Sequence, residues 1–155
     1  MKRLWICLIL VMTVSLIIVP GAWALFGPRV KMLAPDNGVL KITLSDIDDG
    51  IAHYFKVTAD NGTMVTFFTL KSRDGVIRAA IDACDVCYRS GKGYVQDGDF
   101  MVCQNCGQRF ASSRINVVKG GCNPAPLNRQ VEGKHLLISM ADINQNAWYC
   151  EFKKP

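Results

Sequence analysis

Two cysteine pairs of the same internal spacing constrain this chain more than anything else in it: Cys84-Asp85-Val86-Cys87 and Cys103-Gln104-Asn105-Cys106, a C-x2-C-x15-C-x2-C pattern. Such spacing can bring four thiolates to one point, as a tetrahedral metal ion or an iron–sulfur cluster requires. Cysteine is scarce in most chains, and two pairs with the same internal spacing point to a metal or cluster site, with disulfides as the competing use. The fold must therefore let two loops converge.

The chain has 155 residues, enough for one domain with its own core. Met1-Lys2-Arg3 is a short basic start, residues 4–19 are almost wholly apolar, Pro20-Gly21 breaks the run, and Ala22-Trp23-Ala24 has the form of a cleavage site. This order describes a secretory signal peptide over residues 1–24, or alternatively a membrane anchor, although residues 4–19 are short for a span. Either way the remainder is expected outside the cytoplasm, periplasmic or anchored to the membrane. Without Lys2 and Arg3 the 18 basic residues fall to 16 against 13 acidic ones, a net charge of +3. That is too little to argue for nucleic acid. Six cysteines follow the leader: the two pairs, Cys122 and Cys150. Thiols outside the cytoplasm oxidise unless metal or a reductant protects them. Lys2-Arg3 is not the twin arginine that exports proteins with a cluster already assembled.

The exported part reads as all-β. Residues 25–37, with Pro28 and Pro35, read as a linker, and residues 38–155 as the domain. Leu40, Ile42 and Leu44 alternate with polar residues, a half-buried strand. Residues 51–58 and 64–70 are expected strands joined by the Asp60-Asn61-Gly62 turn. Residues 45–50 form an acidic turn without the spacing of a calcium loop. Asp74-Gly75 leads into a strand over 76–82, and Asp97-Gly98 turns a hairpin between the cysteine pairs. Residues 115–118, 134–140 and 147–152 complete the expected strands. Gly107 lets the chain turn tightly after Cys106, aiming amide N–H groups at a thiolate.

Residues 103–110, Cys-Gln-Asn-Cys-Gly-Gln-Arg-Phe, resemble the second ligand box of Rieske domains, with Cys106 in the place of the histidine. Gly120-Gly121-Cys122-Asn123-Pro124-Ala125-Pro126-Leu127 is similar to the proline loop that covers a Rieske cluster. The first box is Cys-x-x-Cys and neither box holds a histidine. The strings Cys84 to Tyr88, Lys92-Gly93-Tyr94, Cys103 to Phe110 and Gly120 to Pro124 resemble more closely a bacterial family of membrane-associated iron–sulfur proteins similar to FtrD, the ferredoxin-like component of a ferrous-iron uptake system. The resemblance implies a Rieske-like antiparallel β-sandwich or barrel with two metal-binding loops, behind an N-terminal signal or anchor helix. It implies an iron–sulfur electron-transfer protein serving iron uptake or respiration, with membrane redox or iron-transport components as partners.

Cys84, Cys87, Cys103 and Cys106 are the expected ligands. Four thiolates suit an Fe–S cluster and equally Zn2+, a mononuclear iron or Cu+, so a structural or carrier zinc or copper module is the alternative. Thiolates in place of the Rieske histidines add negative charge and should lower the reduction potential. A thiol–disulfide protein would place each pair at a helix start, where this chain has strands. Cys122 is a fifth ligand, half of a disulfide with Cys150, or a packed thiol. Cys150 is expected in the core, on a strand face with Trp148 and Phe152. His53 and His135 lack ligand spacing. Arg89, Lys92, Arg109, Arg114 and Lys119 surround the cysteine segments as a solvated rim or a dock for an acidic partner. Tyr88, Tyr94 and Phe110 shield the site or simply pack. No Ser-His-Asp set, phosphate loop or convincing carboxylate pair occurs, so the chain is expected not to be an enzyme.

Overall fold

A computed structural model describes residues 29–153. The signal or anchor expected over 1–24 lies outside the described residues. Among them the strands are β1 Val30–Met32, β2 Val39–Thr43, β3 His53–Thr58, β4 Met64–Lys71, β5 Ile77–Ile81, β6 Tyr94–Asp97, β7 Phe100–Cys103, β8 Arg109–Ala111, β9 Gln130–Glu132 and β10 His135–Ser139. Among the described residues a single α-helix, α1 Met140–Asn146, follows β10. The strands form three small sheets, ordered β1-β3-β4-β5, β2-β10-β9 and β6-β7-β8. All pairings are antiparallel except β1 with β3, which is parallel. No helix of the described residues is long and apolar enough to cross a membrane.

The four-stranded sheet is buried on both faces. Along β4, Val65 and Phe67 enter one core while Phe68 and Leu70 enter another. On its neighbours Phe55, Val57, Ala79 and Ile81 join the first core, and Tyr54 and Ala80 the second. A strand with period-2 side chains and two covered faces must be largely apolar, as the run Met-Val-Thr-Phe-Phe-Thr-Leu is apart from its two buried threonines. The first core is closed by Leu40 and Ile42 of β2, Leu136 and Ile138 of β10, and Met140 and Ile143 of α1. The second is closed by Tyr94 and Met101 of the β6-β7-β8 sheet, together with Cys84, Cys87 and Cys103. The cysteine loops thus belong to one of the two cores.

Both Gly-containing turns between β3, β4 and β5 stand where the sequence puts them, with Gly62 at φ 83° and Gly75 at φ 79°. Four expectations change. The linker over 25–37 is partly strand, because exposed Val30–Met32 pairs through its backbone with β3 and needs no buried face. Residues 115–118 are turns: Asn116 takes φ 65°, a left-handed conformation asparagine tolerates, and only Ile115 of the four is buried. Chain 134–140 leaves the strand at Ser139, whose hydroxyl accepts from the Asp142 N–H and starts α1, so the domain is mostly β with one short helix. Residues 147–150 form a 3-10 turn in which Ala147 and Cys150, three apart, are buried, while Trp148 is 41% and Phe152 47% exposed. Cys150 is a core residue, but it does not share a face with those two aromatics.

Candidate metal centre

Chain leaving β5 passes Asp82 and Ala83 and enters the first cysteine loop. Tyr88 N–H donates to the Cys84 carbonyl at 3.1 Å and Ser90 N–H to that of Cys87 at 2.9 Å, so the loop winds inward as a tight turn. The second pair sits at the end of β7. Gly107, at φ 74°, donates its N–H to the Cys103 carbonyl at 2.8 Å, and Cys103 N–H donates to the Gln108 carbonyl at 2.9 Å. Gln104 N–H reaches the Gly93 carbonyl at 2.9 Å and ties the loops together. The third segment, Gly120 to Pro126, runs along the free edge of β5. Ile81 N–H donates to Ala125 at 2.8 Å, Ala125 N–H to Ala83 at 2.9 Å, and Pro126 bridges Ala80.

These segments gather five thiols. The sulfurs of Cys84, Cys87 and Cys122 lie within 4.8 Å of one another, and so do those of Cys87, Cys103 and Cys106. Both groups could hold a metal ion, and Cys87 belongs to both. Cys84, Cys87 and Cys103 are buried, Cys122 is intermediate and Cys106 is exposed, so the site opens at Cys106. All six cysteines of the described residues are free thiols. Cys150 is remote from the group: it packs in the other core, where Thr66 N–H donates to its sulfur at 3.5 Å. The Cys122–Cys150 disulfide is therefore not formed.

Hydrogen-bond donors converge on the sulfurs. Cys87 N–H lies 3.3 Å from the Cys84 Sγ, and the Asn105 amide lies 3.4 Å from the Cys87 Sγ. The Gln108 N–H behind Gly107 holds the Cys106 thiol below its ordinary range, against the effect of desolvation. Burial pushes the Cys103 thiol up to about 11, although the amides of Cys106 and Asn105 oppose it. At Cys87 the Asn105 amide is the largest single influence and acts downward, but desolvation and the thiols of Cys106 and Cys84 leave it raised. Burial raises Cys122, and the adjacent Cys106 and Cys84 add to that. A pocket of closely spaced thiols in a dry wall opposes holding several negative charges at once, which is the condition a bound cation relieves.

Tyr94, on β6 opposite Cys103, is 1% exposed and donates its hydroxyl to the Cys122 carbonyl at 2.5 Å. Burial, with Cys84 second, drives its pKa well above the usual phenol range, so it stays a donor. Phe110 packs edge-on against it, with centroids 6.2 Å apart. Tyr88 packs with Trp148, Tyr149 and Phe152, and Arg89 lies over the Tyr88 and Phe152 rings. Arg109 pairs with Asp97, and Arg89, Lys92, Arg109, Arg114 and Lys119 are all exposed. His53 bonds to Asp49 at 2.8 Å and His135 is exposed on β10; neither joins the thiol groups.

Sequence reasoning misses three supports. Asn105 lies inside the second pair, the only one of them with a local signal. Asp85 accepts from the Tyr149 hydroxyl, joining the first loop to the C-terminal turn. Asp82, which is buried, pairs with Lys153 and accepts the Tyr94 N–H at 2.7 Å. A Cβ on Gly93 would collide with that carboxylate, which is why glycine stands there at φ 73°. Cys84, Cys87, Cys103, Tyr94 and this ion pair line a cleft of about 10 Å³, room for about one water.

Compared with known proteins, residues 47–150 match a family described as membrane iron-sulfur containing protein FtrD-like. No curated protein and no solved structure matches the chain.

Proposed function

The chain belongs to the FtrD-like family of membrane iron–sulfur-containing proteins, and from that premise we propose that it is an electron carrier working on the outer side of the cytoplasmic membrane. Cys84, Cys87, Cys103 and Cys106 would hold an Fe–S cluster, and the carrier would serve iron uptake or respiration through membrane redox or iron-transport components. It has no substrate chemistry of its own in this reading. The Rieske-like frame, two ligand loops under a proline cover, belongs to the same proposal.

The grouping of the thiols carries it. Two sulfurs bound to one zinc-sized ion at about 2.3 Å are at most about 4.6 Å apart. The four paired cysteines do not form one group on that scale, since Cys84 joins Cys87 and Cys122 while Cys103 and Cys106 join Cys87. A centre containing more than one metal atom suits such a spread better than a single tetrahedral ion. The donor set and the N–H groups on the sulfurs fit an iron–sulfur cluster. Bound there, the cluster would supply one-electron transfer. The protein's part is to exclude water with Tyr94, Phe110 and Met101, and to leave one edge open at exposed Cys106.

Anaerobic purification followed by metal, sulfide and visible-spectrum analysis tests the proposal. Iron with acid-labile sulfide and a band bleached by reductant is expected, and Cys106→Ser should lose the metal while Cys150→Ser keeps it. A colourless protein with stoichiometric zinc would replace the carrier by the structural zinc module. Equal loss in both variants would overturn the ligand assignment.

A further inference from the structure

The four-cysteine reading leaves Cys122 without a role, and the geometry gives it one. Cys84 has two sulfur neighbours in its group, Cys87 and Cys122, and Cys103 and Cys106 are not among them. Without Cys122 the first loop offers one end of the centre only two thiols.

Cys122 is also placed by the elements that carry the other thiols. Tyr94, which pairs with Cys103 across the β6–β7 hairpin, donates its hydroxyl to the Cys122 carbonyl. Ala83, the residue before Cys84, accepts the Ala125 N–H. Gly120 and Gly121, at φ 85° and 63°, bend the chain before Cys122, and the Asn123 amide closes that bend on the Gly120 carbonyl at 3.0 Å. Pro124 and Ala125 behind it are buried. The segment is fixed at both ends with its thiol turned into the group.

We propose that Cys122 is a fifth thiolate ligand and that the site takes two metal atoms, one on Cys84, Cys87 and Cys122 and one on Cys87, Cys103 and Cys106, with the Cys87 sulfur common to both. Three thiolates leave each four-coordinate atom one further position for sulfide or another ligand. The Asn105 amide then bears on the shared sulfur, where it acts on both atoms at once. The proposal rests on reading the site as a metal centre, and it deepens that reading by fixing the nuclearity and the fifth donor.

Cobalt(II) alone is the probe, titrated anaerobically into the reduced, metal-free full-length protein, with thiolate-to-cobalt absorption as the count. Two equivalents are expected for the natural chain and for Cys150→Ser, and one for Cys122→Ser. One equivalent in the natural chain, or two with an unchanged spectrum in Cys122→Ser, overturns the proposal. Alkylation mapped by mass spectrometry on the natural chain needs no variant: residue 122 should be protected when cobalt is bound and labelled after chelation, and equal labelling in both states overturns it. The carrier reading fails separately. A chain that binds two cobalt ions but purifies without iron and sulfide loses its electron-transfer role and keeps the five-thiolate site. An intact iron–sulfur spectrum with one cobalt equivalent does the reverse.

Discussion

At the scale of single residues, burial and amide donors compete at the thiols of Cys87, Cys103 and Cys106. Cys87, Cys103 and Cys122 are raised, and Cys106 is lowered by the Gln108 N–H. The sign of the pH dependence follows. Raised thiols keep their protons at neutral pH, metal binding must expel them, and affinity falls as pH falls by about tenfold per pH unit for each proton released. Cobalt affinity measured between pH 8 and pH 6 should drop by more than about tenfold per unit, with protons released into weak buffer; a flat profile would contradict the raised thiols. The surroundings of these thiols were partly legible in the sequence. The two pairs and the Gly107 turn are local patterns and read directly. The Tyr94–Cys122 bond spans 28 positions and the Asp85–Tyr149 bond 64, so neither leaves a local trace.

At the scale of elements, the open edge of β5 explains how three loops stay together. Ala79 offers its N–H and carbonyl to the Asn116 side chain, at 3.0 and 2.7 Å, and the segment before β9 continues along the same edge. Asn116→Ala would leave the Ala79 N–H without its partner, at about 1–3 kcal/mol, while the Ala79 carbonyl keeps the Leu127 N–H at 3.1 Å. Urea unfolding should show that loss, and an unchanged midpoint would mean water replaces the amide. The Asp82–Lys153 pair ties the same region to the C-terminal turn, with both side chains about nine-tenths buried. Asp82→Ala leaves the ammonium unpaired in that setting and should cost about 3–5 kcal/mol by the same measurement. Hairpins were legible here because Asp-Gly and Asn-Gly turns are short-range signals. The helix was not. Seven residues are too few to establish a 3.6-residue period, and the Ala147–Cys150 spacing reads as alternation until burial is known.

At the scale of the whole molecule, one of the two cores holds the buried thiols of the candidate site. Cys84, Cys87 and Cys103 pack with Tyr54, Phe68, Tyr94 and Met101, while β2, β10 and α1 close a core without any of them. Metal binding free energy should therefore support one layer more than the other. After chelation, amide hydrogen exchange should quicken across Tyr94–Asp97 and Phe100–Cys103, while His135–Ser139 stays protected. Uniform loss of protection would show a single cooperative unit instead.

The double duty of β4 has a last consequence. Adjacent side chains of that strand serve opposite compartments, Phe67 the one closed by the helix and Phe68 the one that holds Cys84, Cys87 and Cys103. Slippage by a single position would trade their places and spoil both interiors together. This short stretch can thus accept no insertion or deletion, however freely the outer loops change length.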